Sequence, residues 1–179
     1  MAEKNRTIRP LTREAFAPFG DLIEIDAGVK NFPINYGHTR RYHDLARLEL
    51  SAQRGRPSVS LFRSQPLPSP IAINIMERHP LSSQLFMPLG PNPYLVVVAP
   101  PGDFDENAIE VFVAEPGQGV NYHAGTWHHF CLALWSESDF LVIDRGGEGD
   151  NCDEVTLQRP FSIDISLIPH PSKNQQGDA

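Results

Sequence analysis

The nine residues Ile71-Ala-Ile-Asn-Ile-Met-Glu-Arg-His79 decide the fold of this chain. They place β-branched isoleucine at every second position, a pattern that predicts a β-strand over residues 70–79. Because side chains alternate between the two faces of a strand, Glu77 and His79 share the face of the isoleucines, and Arg78 lies on the other. We expect the two polar groups to point into the mouth of an apolar cavity; the alternative is a strand end that reaches solvent.

The rest of the sequence favours an all-β fold, an antiparallel barrel or sandwich. Seventeen prolines and thirteen glycines leave little room for long helices. Short apolar runs recur every ~8–12 residues, as in sandwiches and barrels. One short N-terminal helix is expected over Thr12–Phe19, with Thr12 as its N-cap. The predicted strands are 21–25, 40–50, 57–64, 70–79, 83–88, 94–99, 108–114, 119–123, 128–135, 139–144 and 160–165.

Length and composition indicate a single domain over residues 1–165, followed by a polar, loose tail over 166–179. The net charge of −7 argues against nucleic acid as a partner, because phosphate binding needs clustered Lys and Arg. No apolar run approaches the roughly 18 residues of a membrane helix, so no membrane association is expected. The opening residues lack the apolar segment of a secretory signal, and we expect a cytoplasmic protein whose two cysteines are reduced.

A second polar segment, Gly117–His129, contains three of the seven histidines. His123 and His128 flank a Gly-Thr-Trp turn. Because His128 and His129 are adjacent, they face opposite sides of a strand, and at most one of them can serve a given site. A single histidine is more often structural than functional, but a cluster together with a second Glu/His pair favours a site.

The two segments resemble the paired motifs of the cupin superfamily, whose fold is a double-stranded β-helix. Four residues fall at the places of the first motif: Glu77, His79, Gln84 and Gly90. Four others match the second: Gly117, His123, Gly125 and His128. The chain departs from the cupin pattern because Glu77 replaces a metal-binding histidine and Gln84 replaces the acidic ligand. The match therefore supports the fold more than it supports tight metal binding.

A narrower resemblance covers about residues 7–165. Six ordered segments together resemble the ureidoglycolate lyase family, also called ureidoglycolate hydrolases: RYHDLA (41–46), SLFRSQP (60–66), ERHPLSSQLFMP (77–88), GVNYHAGTWHH (119–129), FLVIDRGG (140–147) and DNCDE (150–154). The resemblance implies cleavage of ureidoglycolate to glyoxylate and urea, a late step of allantoin and purine degradation. It also implies a homodimer.

The expected site follows from that reaction. Histidines transfer protons near neutral pH, so the expected catalytic residues are His79, His123 and His128. The expected substrate-binding residues are Arg63, Arg78, Gln84, Asn121 and Tyr42. Arg63 is the first choice for the carboxylate, because it shares a strand face with Val59 and Leu61 and is expected to point inward.

A divalent metal, nickel by the family resemblance, is one hypothesis; its expected ligands are Glu77, His79, Gln84 and His128. A metal-free enzyme is the other hypothesis. Two further functions stay open: a hydrolase that releases ammonia and carbon dioxide from the same substrate, and a non-catalytic sensor that binds a small acid. The Gly-rich stretch from Asp144 to Asp153 is expected to be a structural turn, with an ion pair between Asp144 and Arg145.

Overall fold

The structure, a computed structural model, describes residues 6–168. Its regular elements are one short α-helix, strands and four single turns of 3₁₀-helix. The helix is α1 (Arg13–Phe16). The strands are β1 (Ile8–Pro10), β2 (Gly20–Ile23), β3 (Asn31–Ile34), β4 (Thr39–Tyr42), β5 (Arg56–Ser64), β6 (Ile71–Arg78), β7 (Gln84–Pro88), β8 (Tyr94–Ala99), β9 (Glu110–Ala114), β10 (Gly119–Tyr122), β11 (Trp127–His128), β12 (Leu132–Ala133), β13 (Ser138–Gly146) and β14 (Asp153–Ile163). The 3₁₀ turns are Asn35–Gly37, Ala52–Arg54, Glu106–Ala108 and Ile165–Leu167.

The strands form two large sheets, which confirms the expected all-β, cupin-like architecture. The first sheet has the order β1-β9-β8-β11-β6-β14, with β12 also paired to β8. The second has the order β2-β10-β7-β13-β5, and β3 and β4 form a separate hairpin. The pairs are antiparallel apart from β1 with β9. Among residues 6–168, no helix is long and apolar enough to span a membrane.

Two apolar cores cover the two faces of the first sheet. The core between the sheets contains aromatic residues of both, among them Phe86, Phe112 and Phe140. The second core, on the far face of the first sheet, draws residues from β6, β8, β9 and β14. The first sheet curls around this far core: Arg159, on the last strand of the sheet, forms an ion pair with Glu106, which precedes β9 near the opposite edge.

The alternation of β6 breaks in the middle of the strand, which corrects one expectation. Ile71, Ile73 and Met76 all pack in the far core, so an even-numbered side chain follows two odd-numbered ones on the same face. The pairing of β6 with β14 shifts register in the same region. Glu77 and His79 therefore share a face with each other but not with Ile71 and Ile73. The isoleucine row and the polar pair lie on opposite sides of the sheet.

The N-terminal helix is shorter than predicted, although its start is confirmed. Thr12 is the N-cap, and its Oγ1 accepts a hydrogen bond from the backbone of Ala15 at 3.2 Å. The helix ends at Phe16, two residues before Pro18, whose ring disfavours helical backbone in the residue before it.

Three strand predictions were wrong in extent. The strand predicted over 128–135 is interrupted, and only Trp127–His128 and Leu132–Ala133 are strands in that region. The strand predicted over 40–50 ends at Tyr42, and residues 43–51 instead run as an irregular segment, here called the crossing segment. The strand predicted over 160–165 begins at Asp153. Ile168, inside the predicted tail, is buried in the far core, whereas residues 169–179 lie outside the described part of the chain.

Candidate functional site

Three side chains of the first sheet meet on the face turned toward the second sheet. His128 on β11 lies directly opposite Glu77 on β6, and the ring of His79 lies 5.2 Å from the ring of His128. One ligand atom from each residue lies within 4.8 Å of the others. We call Glu77, His79 and His128 the Glu77 cluster. It joins the two polar segments that the sequence singled out.

Backbone carbonyls fix the tautomers of both histidines. Nδ1 of His79 lies 2.6 Å from the carbonyl oxygen of Asn151, and Nδ1 of His128 lies 3.2 Å from that of His129. Because a carbonyl oxygen can only accept, each Nδ1 carries the hydrogen, and the lone pair is on Nε2. Both Nε2 atoms are buried and have no hydrogen-bond partner among residues 6–168. Two buried nitrogens with free lone pairs thus belong to neighbouring rings.

His128 is the most enclosed member of the cluster. Its side chain is 1% exposed, and its ring stacks on Tyr122 of β10, with centroids 4.4 Å apart and planes 4° from parallel. Burial, reinforced by nearby His79, lowers the pKa of His128 to about 3. His128 is therefore neutral at pH 7, and its contact with Glu77 at 3.7 Å is not an ion pair. Burial also raises the pKa of Glu77, an effect opposed by His79.

The donor set of the Glu77 cluster fits a divalent transition metal. Two imidazole nitrogens and a carboxylate are ligands that Zn²⁺ and similar ions accept. Ligand atoms about 2.1 Å from a shared ion lie at most about 4.2 Å apart, so side-chain shifts of well under an ångström would complete the site. Gln84, the fourth expected ligand, is on β7, where it lies opposite Tyr122 of the neighbouring strand β10. Its Oε1 is buried and has no partner among the described residues.

Asn151, which positions His79, belongs to none of the motifs that predicted the site. The side chain of Asn151 accepts a hydrogen bond from the backbone of Leu81 and donates one to Ser82, both at 2.8 Å. These bonds fix the loop whose carbonyl holds Nδ1 of His79. Asn151 belongs to the DNCDE segment, but nothing in that pattern indicates a contact with a residue 72 positions earlier.

His123 lies in a different group on the outer face of the second sheet. Its Nε2 is 3.1 Å from a carboxylate oxygen of Asp21, and its side chain is 39% exposed. Asn121, fully buried, donates to Asp21 at 2.9 Å and to the carbonyl of Arg47 at 3.0 Å. Asp21 also accepts the backbone N–H of Arg47. These residues attach the crossing segment to the sheet, and a reciprocal pair of hydrogen bonds between Glu49 and Ser83 attaches it further.

Neither expected arginine reaches the Glu77 cluster. Arg63 forms a bidentate ion pair with Asp139 at 2.8 and 2.9 Å on the outer surface of β5. Its neighbours Val59 and Leu61 are 68% and 71% exposed, so the expectation that this face points inward was wrong. The error arises because β5 is an edge strand whose apolar residues are not covered.

Arg78 faces away from Glu77, as the alternation predicted. Its guanidinium binds Asp153 and the carbonyl of Gly102 and lies over the ring of Trp127. Tyr42 lies at the end of β4, in the separate hairpin, and no hydrogen bond among residues 6–168 connects it to the cluster.

The expected ion pair between Asp144 and Arg145 does not form. Arg145 instead donates to three backbone carbonyls, those of Ala52, Gln53 and Glu148. Adjacent residues of a strand point to opposite faces, so the two side chains separate. Arg145 therefore has a structural role at the end of the crossing segment, in agreement with the expected structural turn.

Comparison with known proteins identifies the family. The family model described as ureidoglycolate lyase matches residues 3–164. A ureidoglycolate lyase of Burkholderia mallei is 54% identical over 154 residues, covering 86% of this chain and 90% of the relative. Those of Pseudomonas syringae pv. syringae and Azotobacter vinelandii are 51% and 53% identical over 165 residues, covering 92% of this chain and 95% and 96% of the relatives.

Proposed function

Because the chain belongs to the ureidoglycolate lyase family, we propose that it cleaves ureidoglycolate to glyoxylate and urea, a step of allantoin and purine degradation. The reacting carbon of this substrate carries a hydroxyl group, a carboxylate and a ureido nitrogen. Cleavage of the carbon–nitrogen bond leaves its electron pair on the nitrogen, while the hydroxyl oxygen forms the carbonyl of glyoxylate. The enzyme must move one proton from that oxygen to that nitrogen.

The Glu77 cluster supplies the groups for this proton transfer. The Nε2 lone pairs of His79 and His128 are free, and the two rings are neighbours, with centroids 5.2 Å apart. In our proposal Nε2 of one imidazole accepts the hydroxyl proton, and the same proton reaches the leaving nitrogen through Nε2 of the other, so that both imidazoles are neutral again at the end of the step. The single observation that supports this assignment best is the pair of buried, unpartnered imidazole nitrogens, because a structural histidine normally has both nitrogens bonded.

Glu77, His79 and His128 would also hold a divalent metal such as nickel, with Gln84 beside them. A bound metal lowers the pKa of a coordinated hydroxyl group. Under that alternative the Nε2 atoms serve as ligands, and Asn151 sets the orientation of the His79 ring through its carbonyl. We assign His123 and Asn121 to attachment of the crossing segment, and Arg63 and Arg78 to their ion pairs, rather than to the substrate.

The test is an assay of the purified protein on ureidoglycolate, with and without a chelator. We expect glyoxylate and urea in equal amounts. Ammonia and carbon dioxide in place of urea would indicate the hydrolase, and tight binding without turnover would indicate a sensor. The unpartnered imidazoles favour the enzyme over the sensor, because binding alone does not require groups that transfer protons. A rate unaffected by the chelator would remove the metal from the mechanism and leave the acid–base roles.

We further propose a cytoplasmic homodimer that uses the outer surface of the second sheet. Val59 and Leu61 expose a contiguous apolar strip on the edge strand β5, and strips of this kind favour burial against another surface. Both cysteines are free thiols, as expected in a reducing compartment. Sedimentation should show a species of about twice 20.0 kDa at micromolar concentration. A 20.0 kDa species alone would refute the dimer.

A further inference from the structure

A polar row crosses the inner face of the second sheet, opposite the Glu77 cluster. Tyr122 lies opposite Gln84, and both face the space between the sheets. Val142 on β13 also packs in the inter-sheet core, so Asp144, two residues further along the same strand, points the same way. The register of β13 with β7 places Asp144 next to Gln84, and Ser58 of β5 lies beyond it.

This side of the sandwich is open. Phe62 lies opposite the fully buried Phe140 and so faces inward, yet it is 38% exposed. Ser58 and Ser60, on the same face of β5, are only half-buried. The second sheet therefore extends beyond the cover of the first, and the inner faces of β5 and β13 border an open space, here called the cleft. Because Asp144 is half-buried and shares the inward-facing side of β13 with Val142, it borders that cleft.

Asp144 is a half-buried carboxylate without a partner. Within residues 6–168 it makes no hydrogen bond and no ion pair, whereas the neighbouring Arg145 on the other face makes three hydrogen bonds. A buried or half-buried acidic group normally has a donor, because unmet hydrogen-bonding capacity costs free energy. The donors that Asp144 lacks must come from water or from a ligand in the cleft.

The position of Asp144 argues against a role as a fourth metal ligand. The three residues whose ligand atoms converge all come from the first sheet, and Asp144 does not join them within 4.8 Å. Strands lie about 4.8 Å apart, so Asp144 is separated from Tyr122 by two strand spacings, about 10 Å. That separation leaves space for a small molecule to touch the Glu77 cluster with one end and Asp144 with the other.

The ureido group matches a carboxylate in shape and in hydrogen bonding. Its two nitrogens present parallel N–H donors, the same fork that guanidinium offers, and a carboxylate accepts such a fork with both oxygens. The negative charge of Asp144 also repels the substrate carboxylate, which therefore binds away from Asp144, on the side of the first sheet. We propose that Asp144 binds the ureido end of ureidoglycolate and thereby determines both the orientation of the substrate and the specificity for it. This inference rests on the proposed function of the same site.

The test compares Asp144→Asn with a matched control, Asp139→Asn. Both residues lie on β13, but Asp139 is on the outer face of the strand, where it pairs with Arg63. For Asp144→Asn we expect KM for ureidoglycolate to rise about tenfold or more, the scale of a lost charge-assisted bidentate contact. Product inhibition by urea should weaken by a similar factor, while inhibition by glyoxylate stays within about twofold of wild type, because glyoxylate has no ureido group. Asp139→Asn should change none of these.

A third variant, Asp144→Glu, keeps the carboxylate and should retain part of the inhibition by urea even if Asp144→Asn folds poorly. Three results would overturn the inference while leaving the proposed function intact: equal effects of Asp144→Asn and Asp139→Asn, equal weakening of urea and glyoxylate inhibition, or loss of bound metal in Asp144→Asn. Absence of ureidoglycolate cleavage by the wild-type protein would instead overturn the proposed function, and the inference with it.

Discussion

Two histidines five residues apart in one motif, His123 and His128, lie in opposite kinds of surroundings. His123 is partly exposed and its Nε2 contacts Asp21, whereas His128 is buried, neutral and has a free Nε2. Both lie near a carboxylate, at 3.1 Å for His123 and 3.7 Å for His128. Proximity to an acid therefore does not separate a structural histidine from a functional one. What distinguishes His128 from His123 is its burial together with its unpartnered Nε2.

The same contrast applies to the two faces of the second sheet. On the outer face, Asp21 and Asn121 make hydrogen bonds to the crossing segment and Arg145 makes them to the turn that follows it, although Oδ1 of Asn121 has no partner among the described residues. On the inner face, Oε1 of Gln84 is buried without a partner, and the half-buried Asp144 makes no hydrogen bond or ion pair among residues 6–168. Residues next to each other on the same strand thus have different roles. Those on the outer face stabilise the fold, and those on the inner face border the cleft. The following predictions test that division, starting with the largest expected effect.

Replacing His79 or His128 should have the largest effect on activity. For His79→Ala and His128→Ala we expect turnover to fall on the order of a hundredfold or more, the scale of losing a general acid or base. Steady-state kinetics of variants shown to be folded by circular dichroism provide the measurement. His129→Gln is the control, because that ring lines an apolar groove on β6 together with Phe130. Equal losses in His128→Ala and His129→Gln would contradict the assignment.

Asn151→Ala should have an intermediate effect. The side-chain bonds that hold the loop against Leu81 and Ser82 are lost, so the carbonyl that orients His79 becomes less well fixed. Residues that orient a catalytic or metal-binding histidine typically contribute about tenfold to a hundredfold. We expect kcat to fall by about tenfold with KM little changed. A rise in KM at constant kcat would show that Asn151 acts on the substrate instead of on His79.

Asn121→Ala should reduce stability and leave catalysis nearly intact. The substitution removes two hydrogen bonds of a fully buried side chain and leaves Asp21 and the Arg47 carbonyl less well satisfied. We expect the free energy of unfolding to fall by about 1–3 kcal/mol. Chemical denaturation measures this change. If folded Asn121→Ala lost activity a hundredfold at full stability, Asn121 would belong to the site after all.

The smallest expected effect is a pH dependence of stability at Asp21. Although burial acts to raise its pKa, hydrogen bonds from Arg47, Asn121 and His123 outweigh burial and lower the pKa below 3.8. A depressed folded-state pKa stabilises the protein above the unfolded value and loses that contribution as pH falls through the folded value. Wild type should therefore lose more stability on acidification below about pH 4 than Asp21→Asn. Parallel unfolding curves would contradict this account.

Much of the fold could be predicted, because it depends on local patterns. The presence of strand β6, the N-cap at Thr12 and the spacing of turns all depend on residues that are close together in sequence. The register shift between β6 and β14 could not be predicted, since it arises between segments about 80 residues apart in sequence. It turned the isoleucines and Glu77 to opposite faces.

The candidate site could be predicted in part for the same reason. Glu77, His79 and His128 come from two motifs that the sequence marks directly, and the structure brings them together. Arg63 was placed on the wrong face because sequence alternation cannot tell an edge strand from a central one. No role in the candidate site was predicted for Asn151 or Asp144, because that role depends on which strands and loops lie beside them in the folded chain.

The most direct test of the central claim is a matched comparison of His128→Gln with His123→Gln in the ureidoglycolate assay. Both changes keep a polar side chain of similar length in the same motif, and both products, glyoxylate and urea, are quantified. We predict that His128→Gln loses at least about a hundredfold in kcat/KM, whereas His123→Gln stays within about threefold of wild type. Equal losses, or a larger loss for His123→Gln in a folded protein, would contradict the account.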